Sequence, residues 1–167
     1  MTTKNFSQAD EPASAPSRHE PNPRQRILVV EDDAAIRRVN TEVLTYSGYH
    51  VDAAEDGVAA WETLQLNNYD LIVTDNDMPR MTGIELIQKL QANGRALPVI
   101  MATGARPDEQ FTRYNLLQPP VTLLKPYSFD ELLEVVKAVL FASNEGREEP
   151  VPPPNWKIPA VADRLQP

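Results

Sequence analysis

Four short apolar runs and one weaker one, at Tyr49 to Ala53, each followed by a stretch that can form a helix, fill the chain between residues 26 and 142. The runs are Ile27-Leu28-Val29-Val30, Tyr49 to Ala53, Leu71 to Thr74, Pro98 to Ala102 and Val121 to Leu124. A short continuous apolar run, rich in β-branched residues, is the signature of a strand covered on both faces. Strands that alternate strictly with helices must lie parallel, because only a crossover connects parallel neighbours. The pattern predicts one α/β domain, a doubly wound five-stranded parallel sheet with helices on both faces.

The connecting segments carry their own start and stop signals. A helix is expected from Ala34 to Ser47, with Ile36, Val39, Val43 and Leu44 on one face and Gly48 to end it. Asp56 can cap a helix that runs to Leu66, in which Trp61 reads as a packing residue. Thr82-Gly83-Ile84-Glu85 and Ser128-Phe129-Asp130-Glu131 have capping-box spacing and open helices to Ala92 and Ala142. A further helix is expected over 107–117, cut short by Gln118-Pro119-Pro120. The proline pair before Val121 suits an edge strand.

Composition narrows what such a domain can do. At 167 residues and 41% hydrophobic, the chain can bury one ordinary core. Ten of the sixteen prolines lie in residues 1–25 and 143–167, which are polar and are expected to be disordered tails. The absence of cysteine excludes disulfide, thiolate and cysteine–metal chemistry, and two histidines far apart give no histidine metal site. A net charge of −8 argues against direct DNA binding. No run approaches a membrane span and the first residues lack a signal-peptide core, so a cytoplasmic protein without membrane association is expected.

The residues that close the runs are chemically unusual: Glu31-Asp32, Asp75, Thr103 and Lys125. In a parallel sheet these ends share one edge, where ligands bind in open α/β folds. Three carboxylates gathered there repel one another unless a cation compensates. Oxygen-only donors suit Mg2+, which holds phosphate oxygens in its open positions. An aspartate can then act as nucleophile and form an acyl phosphate, with Lys125 and Thr103 on the phosphoryl oxygens. Asp33 is better read as the cap of the first helix. No Gly-x-Gly-x-x-Gly or Gly-Lys-Ser/Thr stands where a nucleotide-binding fold would need it.

From Arg26 to Ala142 the chain resembles the response-regulator receiver domain of two-component systems, particularly the single-domain, chemotaxis-regulator kind. The matching pieces are Ile-Leu-Val-Val-Glu-Asp-Asp at 27–33, Asp-Leu-Ile-Val-Thr-Asp-Asn-Asp-Met-Pro at 70–79 with Gly83, Ala-Thr-Gly at 102–104 and Leu-Lys-Pro-Tyr at 124–127. The resemblance implies flavodoxin-like strand order 2-1-3-4-5 and a cis Lys125-Pro126 bond. It implies that Asp75 accepts a phosphoryl group from a phosphohistidine on a sensor histidine kinase or phosphotransfer protein. Glu31, Asp32, Asp75 and the main-chain carbonyl of Asp77 would hold Mg2+, and Thr103 and Lys125 the phosphoryl oxygens. It further implies a signalling phosphoprotein rather than a turnover enzyme, acting on a downstream protein by contact or phosphorelay.

Two features depart from the family pattern. Thr122 stands three residues before the lysine, where many receivers carry an aromatic switch residue, and Gln118-Pro119-Pro120 replaces a small turn. The signal is then expected to take another route, of which the segment Gly104 to Pro120 is one candidate. Asp77 and Ala105 occupy positions that tune phosphoryl lifetime in the family. Two other functions compete: a phosphorylation-independent adaptor of the same fold, and an Asp-nucleophile phosphohydrolase whose Asp-x-Asp is imitated by Asp75-Asn76-Asp77. That motif normally follows a first strand, whereas here it follows the third. Trp156, in Val-Pro-Pro-Pro-Asn-Trp-Lys-Ile-Pro, could anchor a partner through a polyproline segment, but a disordered tail without function is the preferred reading.

Overall fold

The structure, a computed structural model, describes residues 25–104, 116 and 120–145. Five strands alternate with helices: β1 (Arg26–Val30), α1 (Ala34–Tyr46), β2 (His50–Ala54), α2 (Gly57–Leu66), β3 (Leu71–Asp75), α3 (Gly83–Ala92), β4 (Val99–Thr103), β5 (Val121–Leu124) and α4 (Phe129–Glu145). All four strand pairings are parallel and the order is β2-β1-β3-β4-β5, as expected. The helix expected over 107–117 and both tails lie outside the described residues.

Side-chain alternation along the strands divides the core in two. Leu28, Val30, Ile72 and Met101 face α2 and α3 and pack with Ala60, Leu64, Ile84, Ile87 and Leu90. Ile27, Val29, Leu71, Val73 and Ile100 face the other way, toward Leu44 of α1 and Leu132, Val136 and Leu140 of α4. All five residues of β3 and of β4 are buried, as central strands of a sheet covered on both faces must be. Trp61 packs at the margin of the first layer, with the Lys89 ammonium 4.8 Å over its ring.

The helix starts follow the sequence signals. Asp33 Oδ1 accepts from the backbone N–H of Ala35 and Ile36, and Asp56 Oδ1 caps α2 in the same way. The two capping boxes form: Glu85 N–H donates to Thr82 Oγ1 while Thr82 N–H donates to Glu85, and Ser128 and Glu131 do likewise. Ser47 is the C-cap of α1 rather than its last helical residue, and Gly48 follows at φ 93. At its far end, α4 extends three residues past the expected boundary at Ala142.

One expectation about α1 is corrected. Leu44 is buried, but Ile36 and Val39 are 40% and 37% exposed, and Asn40 occupies the inward position one turn before Leu44. The asparagine can be buried because its Nδ2 donates to the Tyr127 hydroxyl at 2.9 Å. The N-terminal half of α1 therefore turns apolar side chains outward beside the turn that follows β5.

Candidate functional site

Three loops at the carboxyl edge of the sheet build the site. Glu31 directly follows β1 and is buried, whereas Asp32 beside it is exposed. Asp75 is the last residue of β3 and is 8% exposed. One carboxylate oxygen from each of Glu31, Asp32 and Asp75 lies within 4.8 Å of the others. The parallel register causes this convergence: β1 lies between β2 and β3 with Val30 opposite Thr74, so the next residues of both strands emerge side by side.

Lys125 arrives from the far edge. It follows β5, its backbone N–H donates to the Thr103 carbonyl at 2.9 Å, and the bond to Pro126 is cis. Its Nζ donates to Glu31 Oε2 at 3.1 Å and lies 3.2 Å from Asp75 Oδ1. The ammonium thus neutralises part of the negative charge that the sheet gathers. Burial pushes the Glu31 carboxyl above the usual range, and the nearby Asp75 charge adds to this, while the hydrogen bond from Lys125 opposes it. Burial alone would lower Lys125, but the bond to Glu31 and the charges of Asp75 and Glu31 outweigh it and leave the amine raised. Lys125 stays an ammonium.

The backbone around Asp75 is closely held. Asn76 N–H donates to Asp75 Oδ1 at 2.7 Å, and Thr74 Oγ1 donates to the Asp75 carbonyl at 2.8 Å. A Cβ on Gly83 would press on that carbonyl and come within 3.1 Å of Asn76 Cα, so α3 can begin this close only with glycine there. Thr103, 2% exposed, ends β4 one residue beyond the register partner of Asp75. Asp77 is exposed, and its carboxylate accepts from Asn76 Nδ2 at 3.0 Å. Its side chain is not part of the three-carboxylate group.

Sequence reasoning named Glu31, Asp32, Asp75, Thr103 and Lys125, and the structure brings their strand ends to one edge. It missed three supports. Asn76 is buried beneath the loop, and its Oδ1 accepts from Ile84 N–H at 3.3 Å. Arg80, at φ 66, pairs with Glu55 and with the buried carboxylate of Asp56, clamping the β3–α3 loop to the β2–α2 loop. Asn40 fixes Tyr127. The last had a visible signal, an amide at i+4 from Ile36 and i−4 from Leu44 on an apolar stripe. The other two depend on loop paths that no spacing encodes.

Two buried carboxylates with an exposed third suit a hard divalent cation. With a lysine alongside, the same edge can hold an anion that shares the cation, as a phosphoryl group does.

Comparison with known proteins agrees with this geometry. Residues 27–137 match the sequence model described as "Response regulator receiver domain". Response regulator MprA of Mycobacterium sp. (strain KMS) is 36% identical over 129 residues, which cover 75% of this chain and 55% of that protein. The chain spans about half the length of the curated relatives it matches. Chemotaxis protein CheY4 of Vibrio cholerae superposes with a TM-score of 0.65 at 28% identity, covering 70% of this chain and 98% of that one. TrrA of Thermotoga maritima, in complex with Mg(2+)-BeF, gives a TM-score of 0.60 at 31% identity, with 69% and 98% covered. The chain belongs to the response-regulator receiver-domain family.

Proposed function

We propose that this chain is a phosphoacceptor of a two-component system, taking a phosphoryl group on Asp75 from the phosphohistidine of a sensor kinase or phosphotransfer protein. The observation that carries the reading is the junction at Lys125. One ammonium reaches both Asp75 and Glu31, within a group of three carboxylates whose oxygens lie inside 4.8 Å. The donor set fits Mg2+, with Glu31, Asp32, Asp75 and the Asp77 carbonyl as holders, and the ion when bound would offset charge on the phosphoryl oxygens. That the similar TrrA is a complex with Mg(2+)-BeF supports the assignment.

In this reading a carboxylate oxygen of Asp75 attacks phosphorus, the P–N bond to imidazole breaks, and an acyl phosphate results. Asn76 N–H, on Asp75 Oδ1, orients the carboxylate, and Lys125 and Thr103 receive the phosphoryl oxygens. The burial of Asp75 limits water around the nucleophile. Output is a contact with a downstream protein or onward phosphotransfer, and the net charge of −8 favours a protein partner over nucleic acid. In this reading the chain works in the cytoplasm, where it would meet a phosphohistidine donor.

Intact mass after incubation with acetyl phosphate and Mg2+ tests this directly. The wild type should gain one phosphoryl mass and Asp75→Asn none. Equal labelling of both would remove Asp75 from the role, and steady phosphate release from a phosphomonoester would favour a phosphohydrolase.

A further inference from the structure

The N-terminal half of α1 and the turn after β5 enclose an apolar groove of about 590 Å³, walled by Ile36, Val39, Pro126, Tyr127 and Phe129, with Lys125 at one end. Ile36, Val39 and Phe129 are 40%, 37% and 52% exposed. Single exposed apolar residues are ordinary, but a contiguous concave set marks a binding surface. The periodicity of α1 assigned Ile36 and Val39 to an inward face, and burial of Asn40 leaves them free to line this groove.

The chain itself contains a segment of matching chemistry. Val151-Pro152-Pro153-Pro154-Asn155-Trp156-Lys157 follows α4. Successive prolines favour the polyproline II conformation, which enters grooves lined by aromatic rings with little entropy left to lose. Tyr127 and Phe129 supply such rings, and tryptophan is a frequent anchor in apolar pockets.

Length and charge agree with an intrachain contact. Helix α4 starts at Phe129, a wall of the groove, and its 17 residues carry the chain away by about 25 Å at about 1.5 Å per residue. The eleven residues from Gly146 to Trp156 can span about 34 Å at about 3.1 Å each, enough to return. Past Lys125 lie Glu31, Asp32 and Asp75, and the segment carries Lys157 directly after Trp156, a charge complementary to that acidic end.

We propose that residues Pro152–Trp156 dock in the groove between α1 and the β5–α4 turn of the same chain.

The test uses the full chain labelled with 5-fluorotryptophan, whose two 19F resonances are assigned by Trp156→Phe. Docking predicts a Trp156 resonance with a reduced H2O/D2O shift, which moves to the solvent-exposed position in Val39→Asp and in Ile36→Asp. Both substitutions are at exposed positions, and an unmoved Trp61 resonance reports an intact fold. A fully solvent-sensitive Trp156 in the unsubstituted chain, or one that neither aspartate moves, overturns the proposal. So does loss of protection on dilution, which would mean that the segment of a second copy fills the groove. The 19F readout involves no phosphoryl transfer, so its failure is distinct from failure of the Asp75 reading.

Discussion

Asn40 Nδ2 donates to the Tyr127 hydroxyl at 2.9 Å, joining the middle of α1 to the residue two past Lys125. The contact links the helix beside the groove to the turn that delivers the ammonium. Burial is the main reason that the Tyr127 phenol is pushed above its usual value, and the bond from Asn40 opposes it.

Tyr127→Phe should cost about 1–3 kcal/mol, because it leaves the amide of Asn40, 4% exposed, without this partner. The double variant Asn40→Leu/Tyr127→Phe should recover most of that loss, since two apolar groups need no hydrogen bond. Urea denaturation of the four proteins gives the coupling. Simple additivity would show that the bond contributes nothing.

Gly83→Ala should destabilise by about 1–3 kcal/mol, as overpacking does where the neighbour is backbone. The added methyl presses on the Asp75 carbonyl and Asn76, so the same variant should label more slowly with acetyl phosphate. An unchanged melting temperature would mean that α3 shifts freely, contrary to the close approach described.

Lys125→Ala should abolish most phosphoryl labelling and also destabilise, by about 1–3 kcal/mol, because Glu31 and Asp75 lose the charge between them. Adding Glu31→Gln should restore stability but not labelling. Thermal denaturation and intact mass, measured together, separate the two effects.

Asp32→Asn should weaken Mn2+ binding at least tenfold, read by water proton relaxation, while leaving the melting temperature of the metal-free protein unchanged or raised. Asp32 is exposed and its charge only adds to the repulsion in the group. Unaltered Mn2+ affinity would exclude it as a holder. EDTA in excess should stop labelling of the wild type.

At the opposite edge of the sheet, the Tyr69 hydroxyl and Arg26 Nε both donate to Asp52 Oδ2 at 2.7 Å. Burial and the Asp52 hydrogen bond push the phenol up to about 12. A folded-state value above the ordinary 10 stabilises the protein fully below pH 10, and that contribution is lost as pH rises through about 12. Selective 13Cζ-tyrosine NMR, assigned with Tyr69→Phe, should show this midpoint and its fall in Asp52→Asn. A midpoint near 10 in the unsubstituted protein would contradict the bond.

The order of residues alone carried the strand and helix alternation, hence the parallel sheet, and the residue types gathered at its carboxyl edge. Buried parallel strands such as Leu71–Thr74 are continuous apolar runs, and the acidic and basic residues that end them stand out. Caps at Asp33, Asp56, Thr82 and Ser128 were legible because each acts within three residues of its own position. Relations between segments far apart in sequence came only with the packed fold. Lys125 meets Glu31 across 94 residues, Arg80 clamps Asp56 between two loops, and Asn40 finds Tyr127 across 87 residues. The same contact decided that Ile36 and Val39 face outward. Periodicity reports that a helix has an apolar face, but which part of that face is covered depends on how far the neighbouring elements reach, and that is a property of the packed whole.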